Sequence, residues 1–302
     1  MNRMVKLARR PFGMVKPDDF RVEEGAVPQP GEGEIRVRIK YVSLDPAMRG
    51  WITEAKSYVP PVAIGETMRA YSVGLVDASN NPAFQVGDAV QGLLGVQDYA
   101  ISKGKGLIRV DPGKAPLERW VGGLGMPGWT AYFGLLEVGQ PKPGETVVVS
   151  AASGAVGSIV GQIAKIKGCH VVGIAGGPDK CAWVRDELGF DACVDYKAGG
   201  LFKALKAAAP KGIDVYFDNV GGDIFEACLA QMNLRGRIAC CGAVSQYDGR
   251  APAHGPRGVP GLIVTKRLTM QGFILTDFMD RAAPARADLQ RWVEDGRLRV
   301  RE

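Results

Sequence analysis

Two rhythms of apolar and polar positions divide the chain. Up to about residue 123, short runs alternate with a period of two: Met4 to Ala8, Glu34 to Val42, Met68 to Val76, Ala89 to Leu93 and Tyr99 to Ile101. Alternation of that kind marks half-buried strands, and Gly/Pro/Asp punctuation such as PQPGEGE and FQVGDAV separates them. The close spacing predicts a compact, strongly bent sheet or barrel. From Met126 the rhythm changes. Pro127 suits the first turn of a helix with Trp129, Tyr132, Leu135 and Leu136 on one side. Apolar runs then recur at Thr146–Ser150, Cys169–Ala175, Ala192–Asp195, Ile213–Asp218, Arg237–Cys241 and Leu268–Leu275. Helical patterns fall at Lys180–Leu188, Leu201–Ala209, Ile224–Met232 and Ala283–Glu294, while the Gly/Pro-rich stretch from Gln246 to Pro260 reads as a loop. Parallel strands need crossover helices, so the pattern predicts an α/β fold: a six-stranded, doubly wound parallel sheet. The expected domains are residues 1–123, mostly β, and residues 124–302.

Composition narrows the class. The 302 residues are 46% hydrophobic and 23% charged, ordinary for a globular protein. The net charge of +6 comes from basic residues interleaved with acids, so it reads as a solvated surface. No arginine–aromatic array, zinc finger or helix-turn-helix pattern favours nucleic acid. No apolar run approaches the roughly 20 residues of a membrane span. The basic segment MNRMVKLARRP runs into DDFRVEE without an apolar core or cleavage site, so it is expected to be a first strand, not a targeting peptide. All six cysteines (Cys169, Cys181, Cys193, Cys228, Cys240, Cys241) lie in the second half. Their spacing suits neither a disulfide framework nor a zinc cluster, which points to a reducing, cytoplasmic setting.

The most specific stretch is ETVVVS-AASGAVG-SIVGQIAKIKG, Glu145 to Gly168. A β-branched strand breaks into a small-residue turn and then a helix with Ile159, Ile163 and Ile166 at three- and four-residue spacing. Strand, glycine turn and helix in that order form the phosphate-binding corner of a dinucleotide (Rossmann) fold. Ser153, Gly154, Ala155, Val156 and Gly157 would let a pyrophosphate approach the free N–H groups of the helix start. The first glycine position of the turn is Ala152. The next strand ends Ile174-Ala175-Gly176-Gly177, with no acid at its tip to hold a ribose 2′-hydroxyl. Lys180 stands instead in the first turn of the following helix. The helix dipole disfavours a cation there by a few tenths of a kcal/mol. A charge-assisted contact to a 2′-phosphate accounts for it better than a solvated helix lysine, so NADP(H) is favoured over NAD(H).

Here the chain resembles a known family. MRGW, SYVPPVAIGETMRAYSVG, LGMPGWTAYFGLL, AASGAVGS, GGPDK, FDNVGG and CGAVSQY are similar, in the same order, to the medium-chain dehydrogenase/reductase superfamily. The closer resemblance is to its zinc-independent leukotriene B4 dehydrogenase/prostaglandin reductase branch, which includes 2-alkenal, curcumin and plant double-bond reductases. It implies a GroES-like N-terminal domain, NADPH-dependent reduction of α,β-unsaturated aldehydes or ketones, and a homodimer. It also implies cofactor contacts at Met126, Lys180, Tyr196, Asn219, Cys241, Gly242, Ala243, Ser245, Tyr247, Phe273 and Leu275. Asn219 lies at a strand's carboxyl end, where ligands dock in open sheets, although a turn-capping Asn would look the same. Tyr196 could reach a 2′-phosphate or merely be half-exposed, and Met126 could equally be helix packing.

The residues themselves argue against metal. A catalytic zinc needs three protein ligands. The first half has no Cys or His, and the two histidines are His170 and His254. Where zinc alcohol dehydrogenases carry ligands, this chain shows Asp45-Pro46 and Gly65-Glu66-Thr67-Met68, and carboxylates alone suit a borderline-soft metal poorly.

Enone reduction requires hydride at the β-carbon, a proton at the α-carbon and a donor at the enolate oxygen. Tyr58 and the cofactor's own 2′-hydroxyl are the candidate donors, and solvent can supply the proton. A loop tyrosine such as Tyr58 can also simply pack down. Several relatives carry a pocket tyrosine before the sixth strand; here Thr265 of Leu262-Ile263-Val264-Thr265-Lys266 matches it, either as a shorter hydroxyl or as a sign of other substrates. Family members also continue for a few tens of residues and return to complete the first domain, so that return segment is expected to be absent after Glu302. A quinone reductase of the same superfamily and a non-catalytic NADPH-binding protein are the alternative readings.

Overall fold

The computed structural model describes residues 1–249 and 255–302; part of the expected 246–260 loop, including His254, lies outside them. The chain forms two compact units, Met1–Gly122 with Tyr247–Gly249, and Gly123–Gln246 with the described part of 250–302. In the first unit β1 (Asn2–Leu7) and β2 (Phe20–Gly25) form an antiparallel ribbon. β3 (Ile35–Val42), the one-turn helix α1 (Met48–Trp51), β4 (Tyr71–Ser79), β5 (Ala89–Leu93), β6 (Tyr99–Ser102) and β7 (Ile108–Arg109) follow. The five latter strands make an antiparallel sheet in the order β6-β3-β4-β5-β7. Single bridges at Met4–Gln97 and Lys6–Thr67 tie the ribbon to this segment. Two register shifts in the β3–β4 pair, at Arg36/Val37 and Ile39/Tyr41, supply the expected bend. Alternation missed β2 (FRVEEG), where charged residues stand at half-buried as well as exposed positions and Val22 is exposed, and β7, which is too short to carry a period.

The second unit opens with α2 (Met126–Phe133), running into a widened π-type turn, Gly134–Gly139. Then come β8 (Thr146–Ser150), α3 (Ala155–Ile166), β9 (His170–Ala175), α4 (Pro178–Asp186), β10 (Ala192–Asp195), α5 (Leu201–Ala208), β11 (Ile213–Asp218), α6 (Gly222–Ala230), β12 (Met232–Cys240), α7 (Val259–Lys266), β13 (Thr269–Gly272) and α8 (Ala282–Glu294). The six strands are all parallel and ordered β10-β9-β8-β11-β12-β13. This is the doubly wound order, with its switch point between β8 and β11. Val147, Val148 and Val149 are completely buried, as a strand covered on both faces requires.

Three elements depart from the sequence pattern. The strand expected from Arg237 starts at Met232, because Met232 already pairs with Ile213; a left-handed Arg235 (φ 59°) lies within the stretch before regular pairing resumes at Arg237. The strand expected to reach Leu275 ends at Gly272, and Leu275 opens a 3₁₀ turn, Leu275–Arg281. There Phe273 swings into an aromatic cluster, edge-on to Phe217 (6.0 Å) and Phe278 (6.3 Å). Gly134 makes room for it, since a Cβ there would lie 2.1 Å from Phe273 Cζ. Third, α7 escaped notice because its start lies in the Gly/Pro-rich stretch that reads as a loop; its Val259, Leu262 and Ile263 are partly buried against the core of the second unit.

Helix α3 packs through Gly161 on the turn between α4 and β10, where the missing Cβ would stand 1.8 Å from Cζ of the buried Phe190. Alanine in a helix interior gains about 1 kcal/mol over glycine, while overpacking a fixed core typically costs about 1–3 kcal/mol. Gly161→Ala is therefore expected to lower stability by about 1–2 kcal/mol in thermal or urea unfolding, and adding Phe190→Leu should restore most of it. An unchanged midpoint for the single variant would contradict this packing.

Candidate cofactor site

The carboxyl ends of β8, β9, β11 and β12 carry the site. β8 ends in buried Ser150, and the turn that follows is shaped by two constraints. Ala151 is left-handed (φ 49°), and Gly157 lies so close that a Cβ would be 2.3 Å from the Ala151 carbonyl oxygen. Ala152, at the first glycine position, is buried against β9: a Cβ on Gly173 would approach its own Cβ to 2.8 Å. A second close-packing contact thus replaces glycine flexibility there. Gly154 caps α3 with no side chain on the helix start. The first-turn N–H groups, which have no intrahelical partner, therefore face an anion site of positive potential.

A cavity of about 380 Å³ opens beside this turn, lined by Ser153, Gly154, Ala155, Lys180, Trp183 and Arg301 among others. Arg301 also lies over the Trp183 ring, 5.7 Å from its centroid. Lys180 is exposed in the first turn of α4, whose start is fixed by Gly177 (φ 100°) and Pro178. At the neighbouring tip, Asp195 Oδ1 accepts N–H bonds from Gly177 (2.8 Å) and Lys197 (2.9 Å). Those two bonds hold its carboxyl below the usual carboxylate range. Tyr196 begins the 3₁₀ turn Tyr196–Ala198 beside it.

At the switch point Asn219 is anchored rather than loosely capping. Its N–H donates to Ser150 Oγ and its side-chain amide to the Ser150 carbonyl, both at 2.8 Å. The partner that organises this turn is Asp218, which the motif reading passed over. Its Oδ1 accepts from Tyr216 Oη (2.6 Å), Ser150 Oγ (3.1 Å) and the N–H groups of Val220 and Gly221 (3.0 Å each). Its backbone carbonyl accepts from Cys241 and Gly242 N–H. Tyr216 and Asp218 are two apart on β11, so a period-two reading could have placed both on one face. Ser245 Oγ donates to the Val220 carbonyl (2.6 Å), and Ala243 packs by Gly221. Met126 opens α2 and is half-buried, and Phe273 is held in the aromatic cluster.

Burial, then the charges of Asp218 and Cys240, push the Cys241 thiol up to about 12, so it stays protonated at neutral pH. Thr265 hydroxyl donates to its own helix, at the Gly261 carbonyl (2.8 Å), leaving only acceptor capacity. In the first unit Tyr58 is 51% exposed, and its hydroxyl accepts from Trp51 Nε1 at 3.0 Å. Tyr247 belongs to that unit by packing.

The fold and this edge define a dinucleotide-binding oxidoreductase. A family profile described as an N-terminal domain of oxidoreductase matches residues 3–110, and one described as zinc-binding dehydrogenase matches residues 155–290. The chain is 46% identical to the NADPH-dependent curcumin reductase of Escherichia coli (strain K12), over 100% of this chain and 88% of that protein. It is 42% identical to the NADP(+)-dependent 2-alkenal reductase of Nicotiana tabacum, over 92% and 82%. Its fold matches CurA of Vibrio vulnificus in complex with NADPH at a TM-score of 0.94 and 44% identity, covering 99% of this chain and 90% of that one. The chain belongs to the medium-chain dehydrogenase/reductase superfamily, in the branch of the curcumin, prostaglandin and 2-alkenal reductases.

Two outcomes test the site. Asp218→Ala would strand two buried hydroxyls and two N–H groups, and is expected to cost about 3–5 kcal/mol in urea unfolding; a loss under about 1 kcal/mol would remove Asp218 from its assigned place. Cys241 should resist iodoacetamide at mildly alkaline pH in peptide mapping of the folded protein, because its thiolate is scarce; rapid alkylation would contradict the raised pKa.

Proposed function

We propose that this protein reduces the C=C bond of α,β-unsaturated aldehydes and ketones, using NADPH and no metal. The observation that carries the reading is the tip of β9: Gly176-Gly177 without a ribose-binding acid, followed by Lys180, on a chain of the curcumin and 2-alkenal reductase branch. The residues present fit the cofactor. The uncapped start of α3 suits a pyrophosphate, Lys180 and Tyr196 suit a 2′-phosphate, and Asn219 with Gly242, Ala243 and Ser245 offers a small-residue ledge at the switch point. NADPH supplies the hydride for the β-carbon.

The protein's part is then orientation and stabilisation of the enolate oxygen. Tyr58 is the proposed donor, since Trp51 Nε1 occupies an acceptor lone pair and leaves the phenolic proton to give. Such a donor is worth about 10²–10³ in rate. Thr265, its proton engaged by Gly261, is assigned at most an accepting contact to substrate.

The metal-free reading rests on the donor set. Asp45 stands at a position used for zinc in other branches, and burial raises its carboxyl above the usual range. Its Oδ2 is buried without a hydrogen-bond partner. Yet among the described residues no three His, Cys, Asp or Glu side chains converge to hold an ion.

A homodimer is supported by β13, an edge strand exposed throughout, beside the exposed Val264 of α7. Six free cysteines and no described helix fit to cross a membrane support a cytoplasmic enzyme.

The test is NADPH oxidation with a panel of enals, enones and quinones. Turnover of enals and enones is expected; quinones alone would favour the quinone reductase reading, and NADPH binding without any turnover the non-catalytic one. Lys180→Ala should raise KM for NADPH about tenfold and leave NADH nearly unchanged, an outcome that an equal effect on both would refute. Tyr58→Phe should lower kcat about 10²-fold with little change in NADPH affinity.

A further inference from the structure

The exits of β9 and β10 are tied together more tightly than a cofactor edge made of independent loops would need. Asp195 Oδ1 accepts the N–H of Gly177 at the end of β9 and the N–H of Lys197 in the turn after β10. One carboxylate thereby pins the two tips and caps the Tyr196–Ala198 turn. Both bonds fall on Oδ1.

Pinning the tips brings Tyr196 and Lys197 down over Gly176. A Cβ at Gly176 would lie 2.9 Å from Tyr196 Cε1, 3.0 Å from its Oη and 3.0 Å from Lys197 Cε. A side chain at Gly176 would displace both, and the backbone there is not left-handed, so the glycine leaves room for this approach. The ammonium of Lys197 is one bond beyond Cε, so it stands at the Gly176-Gly177 tip with its stem laid along the strand end. From that same tip the first turn of α4 carries Lys180, three residues past Gly177. Among the described residues neither ammonium stands in a salt bridge, although the Asp195 carboxylate acts on Lys197 through space and Asp179, the neighbour of Lys180 in sequence, also lines the cavity.

We infer that Lys197 is a second cationic contact for the 2′-phosphate of NADPH, acting with Lys180, and that Asp195 is the residue that positions it. The inference rests on the NADPH reading above. A phosphate monoester carries a charge of about −1.5 to −2 at neutral pH, which one lysine neutralises only in part. Two lysines on adjacent tips, with Tyr196 next to Lys197 as a hydroxyl donor, match both its charge and its several acceptor oxygens. Discrimination against NADH would then arise from two elements of the fold, the start of α4 and the turn after β10.

The experiment is calorimetric titration of the full-length chain with 2′,5′-ADP and, as the control lacking the 2′-phosphate, 5′-AMP. Lys197→Gln should weaken 2′,5′-ADP about tenfold, reduce the salt dependence of its binding, and leave 5′-AMP within about twofold. Asp195→Asn, which keeps an acceptor for both N–H groups, should retain 2′,5′-ADP affinity, whereas Asp195→Ala should lose it. Unchanged affinity in Lys197→Gln, an equal loss for both ligands, or an Asp195→Ala variant that binds as well as Asp195→Asn would each overturn the inference. If the unaltered protein binds neither 2′,5′-ADP nor NADPH, the cofactor reading itself fails; if it binds both and Lys197→Gln matches it, only the role of Lys197 fails.

Discussion

Asp218 Oδ1 accepts hydrogen bonds from Ser150, Tyr216, Val220 and Gly221, while its main-chain oxygen accepts two more from Cys241 and Gly242. A parallel sheet has no hairpins to hold strand ends together, so the edge that faces a ligand needs another tie. Here one buried aspartate joins the ends of β8, β11 and β12, the first two through its carboxylate and the third through its main-chain oxygen. In a low-dielectric surrounding each of these bonds is strong, and each donor would be costly to leave unpaired. Burial, followed by the nearby Cys228 and Asp218, drives the Tyr216 phenol well above its ordinary pKa, so it remains a donor throughout the working range. Asn219 inherits its position from this node, since Ser150 both donates to Asp218 and accepts the Asn219 N–H.

Against that saturated edge, the start of α3 is conspicuous for being left open. Elsewhere at this edge donors find partners within the fold, but Gly154 offers no side chain to the first turn of α3. A glycine at the N-cap forfeits a few tenths of a kcal/mol relative to a capping side chain. The strain of a left-handed Ala151 adds to that, and both are characteristic of sites where structure serves a ligand. The same logic holds one strand over, where Asp195 engages backbone donors and two lysines stand outside any salt bridge.

Much of this was legible before any coordinates. Strands Thr146–Ser150, Ala192–Asp195 and Ile213–Asp218 have the boundaries that their apolar runs predict. Local chemistry was enough for the acid-free Gly176-Gly177 tip and for Lys180 in the first turn of the next helix, although that helix starts at Pro178 and not at Lys180. What escaped were features whose cause is remote in sequence. α7 packs Val259, Leu262 and Ile263 on a core that β11, β12 and α6 build, and on that helix the Thr265 proton goes to the Gly261 carbonyl.

The sequence by itself determined the class of fold and the class of ligand, because strand and helix periods, glycine turns and the charge at a strand tip are local properties. Only the tertiary structure decided which strand ends meet, and hence that Asp218 reaches back to Ser150 and Asp195 to Gly177. Those partners lie 68 and 18 residues apart, and no period along the chain encodes the order β9-β8-β11 that brings them together. Neighbours in a parallel sheet are chosen by the packing of crossover helices, as at Gly161 against Phe190, and that packing exists only in three dimensions.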